Sequence, residues 1–350
     1  MLRNILICTT QVPFTTGGGE AHVEGLKRAF IEAGYNAEIA ALPFKWNPPT
    51  EIMRGALAWR LLDVSEANGK PIDLVIGMKF PAYLVAHEKK VIWVMHQYRS
   101  AYNLWGTAFD DLSPYPEGPR IRDWIKQCDD RFIPDSLKVF ANSQTVADRL
   151  LKFNNIQSTP LYHPPPRIDS LRAGDQGDYI FYPSRLEPQK RQELLIEAAK
   201  FLKTPVKIVL AGNSRDKNHY ESLVKKFGVA NRVSLRGFVS ETEIVDLYAN
   251  ALGVCYLPFD EDYGYVTLEG MLSAKPVIVP VDGGGATEFI ENGSEGFISE
   301  PEPKALAAAI DSLYSDRVRA KQMGQRGRDK LKAMNLSWQN VVEQLVSAAR

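Results

Sequence analysis

The sequence lacks several features that mark whole classes of protein. Among its 350 residues there are only three cysteines, Cys8, Cys128 and Cys255, an odd number with no CxxC or Cys/His metal-ligand spacing. We therefore expect reduced structural thiols rather than a disulfide framework or a cysteine-based metal site. Neither charge sign is in excess, because 42 Lys and Arg face 42 Asp and Glu. The chain as a whole therefore has no attraction to nucleic acid.

Long hydrophobic runs are also missing. No window approaches the roughly 20 apolar residues that a membrane-spanning helix needs. The first apolar run, Ile5 to Cys8, is too short for the core of a signal peptide. We therefore expect a cytoplasmic protein that folds from its first residue. Any contact with a membrane should be peripheral, at the inner face of the cell membrane.

The residues that are present suit a globular protein of two domains. Hydrophobic residues make up 45% of the chain and charged residues 24%, as in ordinary soluble proteins. A prior of about 150 residues per domain suggests two of them. Short apolar runs alternate with helical patterns throughout, which is typical of βαβ units. We predict strands at residues 4–10, 37–42, 74–78, 91–96, 138–143, 158–162, 179–184, 206–211, 233–236, 254–258, 276–281 and 296–298. We predict helices at residues 20–33, 51–67, 119–127, 144–153, 191–202, 219–228, 241–251, 266–274, 286–292 and 303–314. We predict the α/β class, with two Rossmann-like, doubly wound parallel sheets facing a cleft.

A proline-rich segment interrupts this alternation near the middle of the chain. It begins His-Pro-Pro-Pro-Arg and continues through Gly and Asp residues without an apolar period. We interpret residues 166–178 as a linker between an N-terminal domain, 1–165, and a C-terminal domain, 179–336. The last predicted helix, within 337–350, has apolar residues at helical spacing and should pack back on the first domain.

Glycine-rich turns follow predicted strands in both halves. Gly17, Gly18 and Gly19 precede the first helix, where free backbone N–H groups and the helix dipole favour an anion. The turn lacks the full G-x-G-x-x-G spacing, which argues against a nicotinamide site. A tight turn without a ligand explains the same residues. Gly283–Gly285 and Glu288 repeat the pattern in the second half, where a flexible turn is the alternative.

Charged residues stand at the expected carboxyl ends of strands in the second half. Arg185 and Lys190 could neutralise a diphosphate leaving group, although a solvated basic turn explains them equally well. Glu261 and Glu269 are carboxylates that could accept hydrogen bonds from vicinal hydroxyls. Glu269 could instead cap a helix or pair with Lys275. Because all these loops follow strands, we expect them to line one cleft.

Together these residues resemble the retaining, family 4 type of glycosyltransferase with the GT-B fold, also described as glycosyl transferases group 1. The marks of that family are Arg-x4-Lys, Glu-x7-Glu and a later Gly-Gly-x-x-Glu, and the chain has all three in order over roughly residues 180–300. The N-terminal half resembles the family more loosely, through its glycine turn and His96 at a strand end. Asp262 stands where the family usually has Gly, which leaves the donor sugar open.

The resemblance implies a role for each matching residue. Arg185 and Lys190 would bind the donor diphosphate, and Glu269 would bind the ribose. Glu261 would hold the donor sugar, and His96 would lie near the acceptor unless it is a plain core histidine. The residues expected to act in catalysis are Arg185, Lys190, Glu261 and His96. The residues expected to touch the donor are Gly17, Gly18, Gly19, Tyr263, Gly264, Tyr265, Val266 and Glu269.

The acceptor should be recognised by the first domain. The segment 97–119 is long and aromatic, and it contains Tyr98 and Trp105, whose rings can stack on sugars, and Arg99, which can bind a phosphate or carboxylate. A hydrophobic plug is the alternative for the same residues. By resemblance the acceptor is a hydroxyl of a glycan, a lipid-linked molecule or a small molecule, in bacterial surface polysaccharide or glycoconjugate synthesis.

We expect no cofactor and no metal beyond the nucleotide-diphosphate sugar itself. Asp260-Glu261-Asp262 contains a DxD triplet, a pattern that can hold a divalent cation. Arg185 and Lys190 already supply the compensating charge, however. The resemblance implies a hexosyltransferase reaction that retains the anomeric configuration. A nucleotide-sugar epimerase on the same scaffold and a non-catalytic nucleotide-sugar binding protein stay open, and the sequence gives no oligomeric state.

Overall fold

The structure, a computed structural model, describes residues 2–213 and 216–350. Met1, Ser214 and Arg215, which the sequence analysis assigned to the two domains, lie outside it. The chain divides into two compact units: Met1–Pro166 with Leu336–Arg350, and Arg167–Asn335. Each unit has a parallel six-stranded sheet of its own among the described residues. The predicted α/β class with two Rossmann-like sheets is confirmed.

The first unit is built on the strand order β2-β1-β5-β6-β7-β8. Its elements up to the unit boundary are β1 (Asn4–Gln11), α1 (Gly18–Glu32), β2 (Asn36–Pro43), α2 (Thr50–Leu61), β3 (Glu66–Ala67), β4 (Lys70–Pro71), β5 (Leu74–Gly77), β6 (Lys90–Val94), α3 (Gly118–Phe132), β7 (Lys138–Ala141), α4 (Gln144–Asn154) and β8 (Thr159–Pro160). Strands β5 and β6 are buried along their whole length, as in a parallel sheet covered on both faces. The strand order reverses between β1 and β5.

The second unit has the strand order β11-β10-β9-β12-β13-β14, which reverses between β9 and β12. Its elements are β9 (Tyr179–Pro183), α5 (Gln192–Ala198), β10 (Lys207–Ala211), α6 (Lys217–Lys226), β11 (Val233–Gly237), α7 (Glu241–Ala249), β12 (Gly253–Cys255), α8 (Tyr265–Leu272), β13 (Val277–Pro280), β14 (Gly296–Ser299), α9 (Pro303–Ser315) and α10 (Arg317–Met334). A doubly wound sheet binds ligands at the carboxyl ends of the strands beside such a reversal. The two reversals therefore mark where ligand sites are expected.

The last helix, α11 (Trp338–Ser347), belongs to the first unit. Its apolar face shares a core with Leu26 and Phe30 of α1. Gly25 permits this packing, because a Cβ there would lie 2.4 Å from Cζ2 of Trp338. In the part of the chain that the structure describes, no helix combines the length and the apolarity needed to cross a bilayer.

Two stacked histidines lie at the centre of the first unit. The rings of His22 and His163 are 3.7 Å apart between centroids and 14° from parallel, and both side chains are buried. Trp93 and Trp338 contact both rings. His163 comes shortly before the chain leaves this unit, and Trp338 comes shortly after it returns. The cluster therefore holds both segments to the same core.

Two expectations about helices were wrong. Residues 286–292, predicted as a helix, form turns. The long helix α10 was not predicted, because it is rich in Lys and Arg and has only a sparse apolar stripe. A missing side chain helps it pack: a Cβ at Gly324 would lie 2.1 Å from the carbonyl oxygen of Ala274. Tertiary contacts, rather than local apolar periodicity, support this helix.

Candidate functional site

Three of the predicted residues follow the two strands that flank the reversal in the second unit. Arg185 and Lys190 come after β9, and Glu261 comes after β12. The carboxyl ends of parallel strands meet at the same edge of a sheet, so these side chains share one edge although Lys190 and Glu261 are 71 positions apart. The edge contains both cations and the carboxylate that the sequence singled out.

Lys190 and Glu261 form a direct ion pair at this edge. Their side chains are 15% and 18% exposed. The hydroxyl of Tyr256 donates to Glu261 Oε2 at 3.0 Å and accepts from Lys190 Nζ at 3.1 Å. Burial raises the pKa of Tyr256 well above its usual value, so the hydroxyl keeps its proton. Sequence reasoning missed Tyr256, and the only available signal was a hydroxyl at the end of a predicted strand.

Arg191 fixes the position of its neighbour Lys190. Its guanidinium donates to the carbonyl oxygens of Leu257 and Pro258 at 2.9 and 2.8 Å, and it binds both carboxylate oxygens of Asp282 at 2.8 and 2.6 Å. These contacts tie the turn after β9 to the segments that follow β12 and β13. The bidentate fork of an arginine suits this task, since it fixes direction as well as distance. Sequence reasoning also missed this role.

Arg185 is more accessible than Lys190. Its side chain is 48% exposed and pairs with Glu187 at 3.1 Å. The positive charge of Arg185 also acts on the hydroxyl of Tyr256, which places the two cations in one neighbourhood. A surface pair of this kind contributes at most about 1 kcal/mol to folding. The guanidinium can therefore change partners at little cost to stability.

The second glycine-rich turn holds the segment that contains Glu261. The amide of Glu261 donates to Gly283 at 3.1 Å, and the amide of Gly285 donates to Glu261 at 2.8 Å. Gly284 has a positive φ of 58°, and a Cβ there would lie 2.5 Å from the carbonyl oxygen of Glu261. A larger residue would push the two segments apart. The turn thus has a clear structural task in placing Glu261.

The predicted donor residues 263–266 span the entry to α8 and its first two residues. Gly264 precedes the helix with φ 84°, where a Cβ would lie 3.0 Å from Ala286. The ring of Tyr263 is buried and packs edge-on against Phe289 and Tyr265. Free backbone N–H groups at a helix start can bind anions. The segment can therefore offer its backbone to a ligand while its tyrosine rings secure it.

Glu269 lies one turn into α8 and is almost fully buried. Its Oε1 accepts from Arg167 at 2.9 Å, and its Oε2 accepts from the hydroxyl of Tyr248 at 2.7 Å. Burial raises the pKa of Glu269, and the positive charge of Arg167 opposes that rise. Arg167 also pairs with Glu241 on α7. The alternative partner considered for Glu269, Lys275, donates instead to backbone carbonyl groups.

In the first unit, Gly17 precedes α1 beside the strand reversal, and Gly18 and Gly19 are the first residues of that helix rather than part of a turn before it. A Cβ at Gly19 would lie 3.3 Å from Sδ of Met95 and 3.8 Å from Nζ of Lys79. Lys79 follows β5 and pairs with Glu20 at 3.6 Å. Burial lowers the pKa of Lys79. Lys79 adds a cation beside these glycines, and the sequence analysis did not name it.

His96 and the aromatic segment lie after β6. His96 is half-buried, and its Nδ1 is 2.8 Å from the carbonyl oxygen of Gln97. The ring of Tyr98 is buried in the core and its hydroxyl donates to Asp111, which fits the hydrophobic-plug interpretation for this residue. Arg99 and Trp105 are half-buried. Of the three acceptor candidates, Tyr98 is buried in this core, whereas Trp105 is partly buried and packs against it.

Asp129 on α3 anchors the start of this segment. It is fully buried and accepts hydrogen bonds from Gln97 at 2.8 Å, Tyr102 at 2.7 Å and Tyr83 at 2.9 Å. Burial raises its pKa to about 7, although the three donors oppose that rise. Because Gln97 is next to His96, this network also helps to place His96.

Within residues 2–213 and 216–350, no three His, Cys, Asp or Glu side chains gather into a set that could share a metal ion. In the Asp260-Glu261-Asp262 triplet, the central carboxylate is engaged by Lys190. The three cysteines are not joined in disulfides.

Comparison with known proteins adds two kinds of similarity. Residues 167–330 match the family described as Glycosyl transferases group 1. EpsD of Bacillus subtilis (strain 168), which is named as a glycosyltransferase, is 31% identical over 383 residues, covering 99% of this chain and 96% of EpsD.

Solved structures share the fold. HepE of Anabaena in complex with UDP and glucose has a TM-score of 0.70 and 19% identity, over 99% of this chain and 100% of HepE. Sucrose-phosphate synthase of Thermosynechococcus elongatus has a TM-score of 0.74 and 16% identity, over 99% of this chain and 98% of the synthase. At these identities the two structures bear on the fold alone.

Proposed function

The chain belongs to the glycosyl transferases group 1 family and is a glycosyltransferase, and from this premise we propose that it transfers a sugar from a nucleotide-diphosphate sugar to an acceptor hydroxyl with retention of the anomeric configuration. The observation that carries the proposal is the placement of Arg185, Lys190 and Glu261 at one edge of the second sheet, beside its strand reversal. The similarity to HepE, whose structure contains UDP and glucose, supports a nucleotide-sugar donor and makes UDP the first nucleotide to test.

In the proposed reaction the protein has two tasks: to stabilise the charge on the leaving group and to orient the acceptor. A nucleotide diphosphate is a good leaving group, so no carboxylic acid has to protonate it, unlike in glycoside hydrolysis. The bond from the anomeric carbon to the diphosphate breaks, and the diphosphate leaves with the electron pair. The acceptor oxygen forms the new bond on the same face and passes its proton to a phosphate oxygen.

Arg185 and Lys190 stabilise the growing negative charge on the diphosphate. Preorganised cations are effective here because they are in place before the charge develops. In the free protein, Lys190 is paired with Glu261 and Arg185 with Glu187. A bound diphosphate offers both cations a second anionic partner. Glu261 then accepts hydrogen bonds from the donor sugar.

The ribose of the donor and the acceptor are proposed to bind to residues other than Arg185, Lys190 and Glu261. Glu269 accepts hydrogen bonds from the ribose hydroxyls, and the backbone at residues 263–266 supports the donor. His96, Arg99 and Trp105 of the first unit face the acceptor, which we propose to be a hydroxyl of a glycan, lipid-linked or small molecule in surface polysaccharide or glycoconjugate synthesis.

Product analysis tests the proposal directly. The protein is incubated with UDP-glucose, UDP-galactose and UDP-N-acetylglucosamine, with and without a panel of acceptor glycans. We expect release of nucleotide diphosphate and a new glycoside that appear only when a suitable acceptor is present. Conversion of one nucleotide sugar into its epimer without acceptor would replace the proposal with an epimerase. Binding without any turnover across a complete acceptor panel would favour a nucleotide-sugar binding protein.

We expect transfer to be independent of metal ions, because Arg185 and Lys190 supply the charge that a divalent cation would otherwise provide. Turnover measured in excess EDTA should equal turnover in buffer alone, and added magnesium should not raise it. Loss of turnover in EDTA that magnesium or manganese restores would contradict this expectation.

We expect Glu269→Ala to weaken nucleotide-diphosphate binding by about 1.5–3 kcal/mol, the range for hydrogen bonds to a charged group. Acceptor affinity should change little. Calorimetry with the nucleotide measures the loss, and Glu269→Gln shows how much of it depends on charge. Trp105→Ala serves as the comparison, since it should weaken acceptor binding and leave nucleotide binding unchanged. If Trp105→Ala loses the nucleotide as severely as Glu269→Ala does, the assignment of the donor to the second unit is wrong.

A further inference from the structure

The side chain of Arg167 connects a buried carboxylate with an exposed one. Its Nη1 donates to Glu269 at 2.9 Å, while Nε and Nη2 make a bidentate pair with Glu241 at 2.7 and 2.8 Å. The exposed fractions of the side chains are 4% for Glu269, 25% for Arg167 and 77% for Glu241. Arg167 therefore holds Glu269 from the direction of solvent. Its own backbone is fixed in a turn, because its carbonyl accepts from Ser170 and Leu171.

The remaining hydrogen-bonding capacity of Glu269 suits a pair of neighbouring hydroxyls. An ionised carboxylate has about four acceptor positions. Arg167 uses one on Oε1 and Tyr248 uses one on Oε2. With only these donors recorded among the described residues, each oxygen keeps one acceptor position. Two adjacent O–H donors, as in the 2′,3′-diol of a ribose, match this arrangement.

Glu269 can accept from a diol only while it is ionised, and Arg167 favours that state. Burial disfavours the charged carboxylate and raises its pKa, whereas the positive charge of Arg167 is the largest opposing influence. Among the described residues, Glu269 also faces Tyr248, Tyr265 and Glu241. None of these carries positive charge. Without Arg167, the buried carboxyl would be held by one tyrosine hydroxyl and would take up a proton more readily.

We propose that Arg167 is a positioning residue that fixes the Glu269 carboxylate for the two ribose hydroxyls of the donor, so that the site selects ribonucleoside over deoxyribonucleoside diphosphates. The inference rests on the proposed function, because it takes Glu269 as the ribose-binding group. It adds a residue from the segment that the sequence assigned to a linker. That segment contributes to the donor site through a contact spanning 102 positions.

The experiment compares each ribonucleotide with its deoxy form. Calorimetry is done with UDP, GDP and ADP and with the 2′-deoxy form of each. For the nucleotide that binds best, we expect the wild type to prefer the ribo form by about 10- to 100-fold. In Arg167→Gln this preference should fall to within about threefold. The preference of Arg167→Lys should lie between those of the wild type and Arg167→Gln, since an ammonium keeps the positive charge but cannot make the bidentate contact of a guanidinium.

Arg172→Gln is the matched control. Arg172 lies in the same segment and pairs with Asp246 of α7, but both side chains are about half exposed. The control should keep the wild-type preference. A second readout separates positioning from general damage: in Arg167→Gln the preference should recover as the pH rises from about 6 to about 9, because Glu269 then ionises without its cation. The wild-type preference should stay constant over the same range.

Each outcome decides one claim. A wild-type preference in Arg167→Gln, or an equal loss in Arg172→Gln, overturns the inference. Binding of ribo and deoxy forms with equal affinity by the wild type overturns it too, while the nucleotide site stands. Failure of the wild type to bind any of the six nucleotides overturns the proposed function itself. If thermal unfolding shows that Arg167→Gln does not fold, Arg167→Lys decides, and an unchanged preference in that variant rejects the role.

Discussion

Replacing Lys190 with alanine should lower turnover by about 100- to 1,000-fold, which corresponds to the loss of one preorganised contact to a developing anion. The loss should fall on kcat more than on KM, since the charge on the diphosphate is greatest in the transition state. Arg185→Ala should act in the same direction. Because Arg185 is half exposed and its ion pair is with nearby Glu187, its removal should leave thermal unfolding almost unchanged.

Lys190→Ala also removes the ion pair with Glu261, so folding has to be checked separately. Glu261 keeps its hydrogen bond from Tyr256 at 3.0 Å, which limits the damage. Lys200→Ala is the control, since Lys200 lies in the same unit and contacts Glu197 and the rings of Phe201 and Phe227 rather than Glu261. It should retain full turnover. Full turnover in Lys190→Ala itself would mean that the cation serves only to pair with Glu261.

Acid should destabilise the first unit through its stacked histidines, by roughly 2–4 kcal/mol at about pH 5 relative to about pH 8. Burial lowers the pKa of His22 to about 3 and that of His163 well below its usual value. Two charged rings 3.7 Å apart would repel each other. Nε2 of His22 has no hydrogen-bond partner among the described residues, so an N–H group formed there by protonation would also lack an acceptor.

Proton uptake determines in which direction the free energy of unfolding changes with pH. Above about pH 6.5, the ordinary histidine value, both rings are neutral in the folded and the unfolded chain, and they have no effect on stability. Below that pH, the two histidines bind protons in the unfolded chain but stay unprotonated in the folded unit. The free energy of unfolding then falls by about 1.4 kcal/mol per pH unit for each ring. For His22 the fall continues down to about pH 3.

Urea unfolding at about pH 8 and about pH 5 measures this effect. His22→Phe and His163→Phe should each remove about half of the acid-dependent loss, relative to their own stability at the higher pH. Ring NMR signals provide a direct check that does not need a variant. Signals of His22 and His163 that change to the imidazolium form above about pH 6 would rule out this source of acid sensitivity.

Local patterns predicted most of the fold because the elements are locally distinct. The strand at Leu74–Gly77 is a buried apolar run, and the helix at Gln144–Asn154 has a serine cap whose hydroxyl binds the amide of Val146. Both can be recognised without knowing any partner. The helix Arg317–Met334 could not be recognised, because its polar sequence becomes helical through packing of residues such as Gly324 against Ala274.

The candidate site divides in the same way. Arg185, Lys190, Glu261 and Glu269 were named from their order and their places after predicted strands. Their roles in transfer stay predictions. Arg167 and Tyr256 were missed because neither belongs to a motif: each matters only through the group that it contacts in space.

By itself, the sequence determined the α/β class, the positions of nearly all strands and the order of the charged and glycine-rich turns along the chain. Apolar periodicity and turn residues report local burial, so these features need no knowledge of distant residues. Only the tertiary structure decided that Lys190 pairs with Glu261 and that Arg167 holds Glu269. Those pairings depend on which strands become neighbours. Strand order is set by the packing of the whole sheet, and the charge of a buried carboxylate depends on the cation that this packing brings beside it.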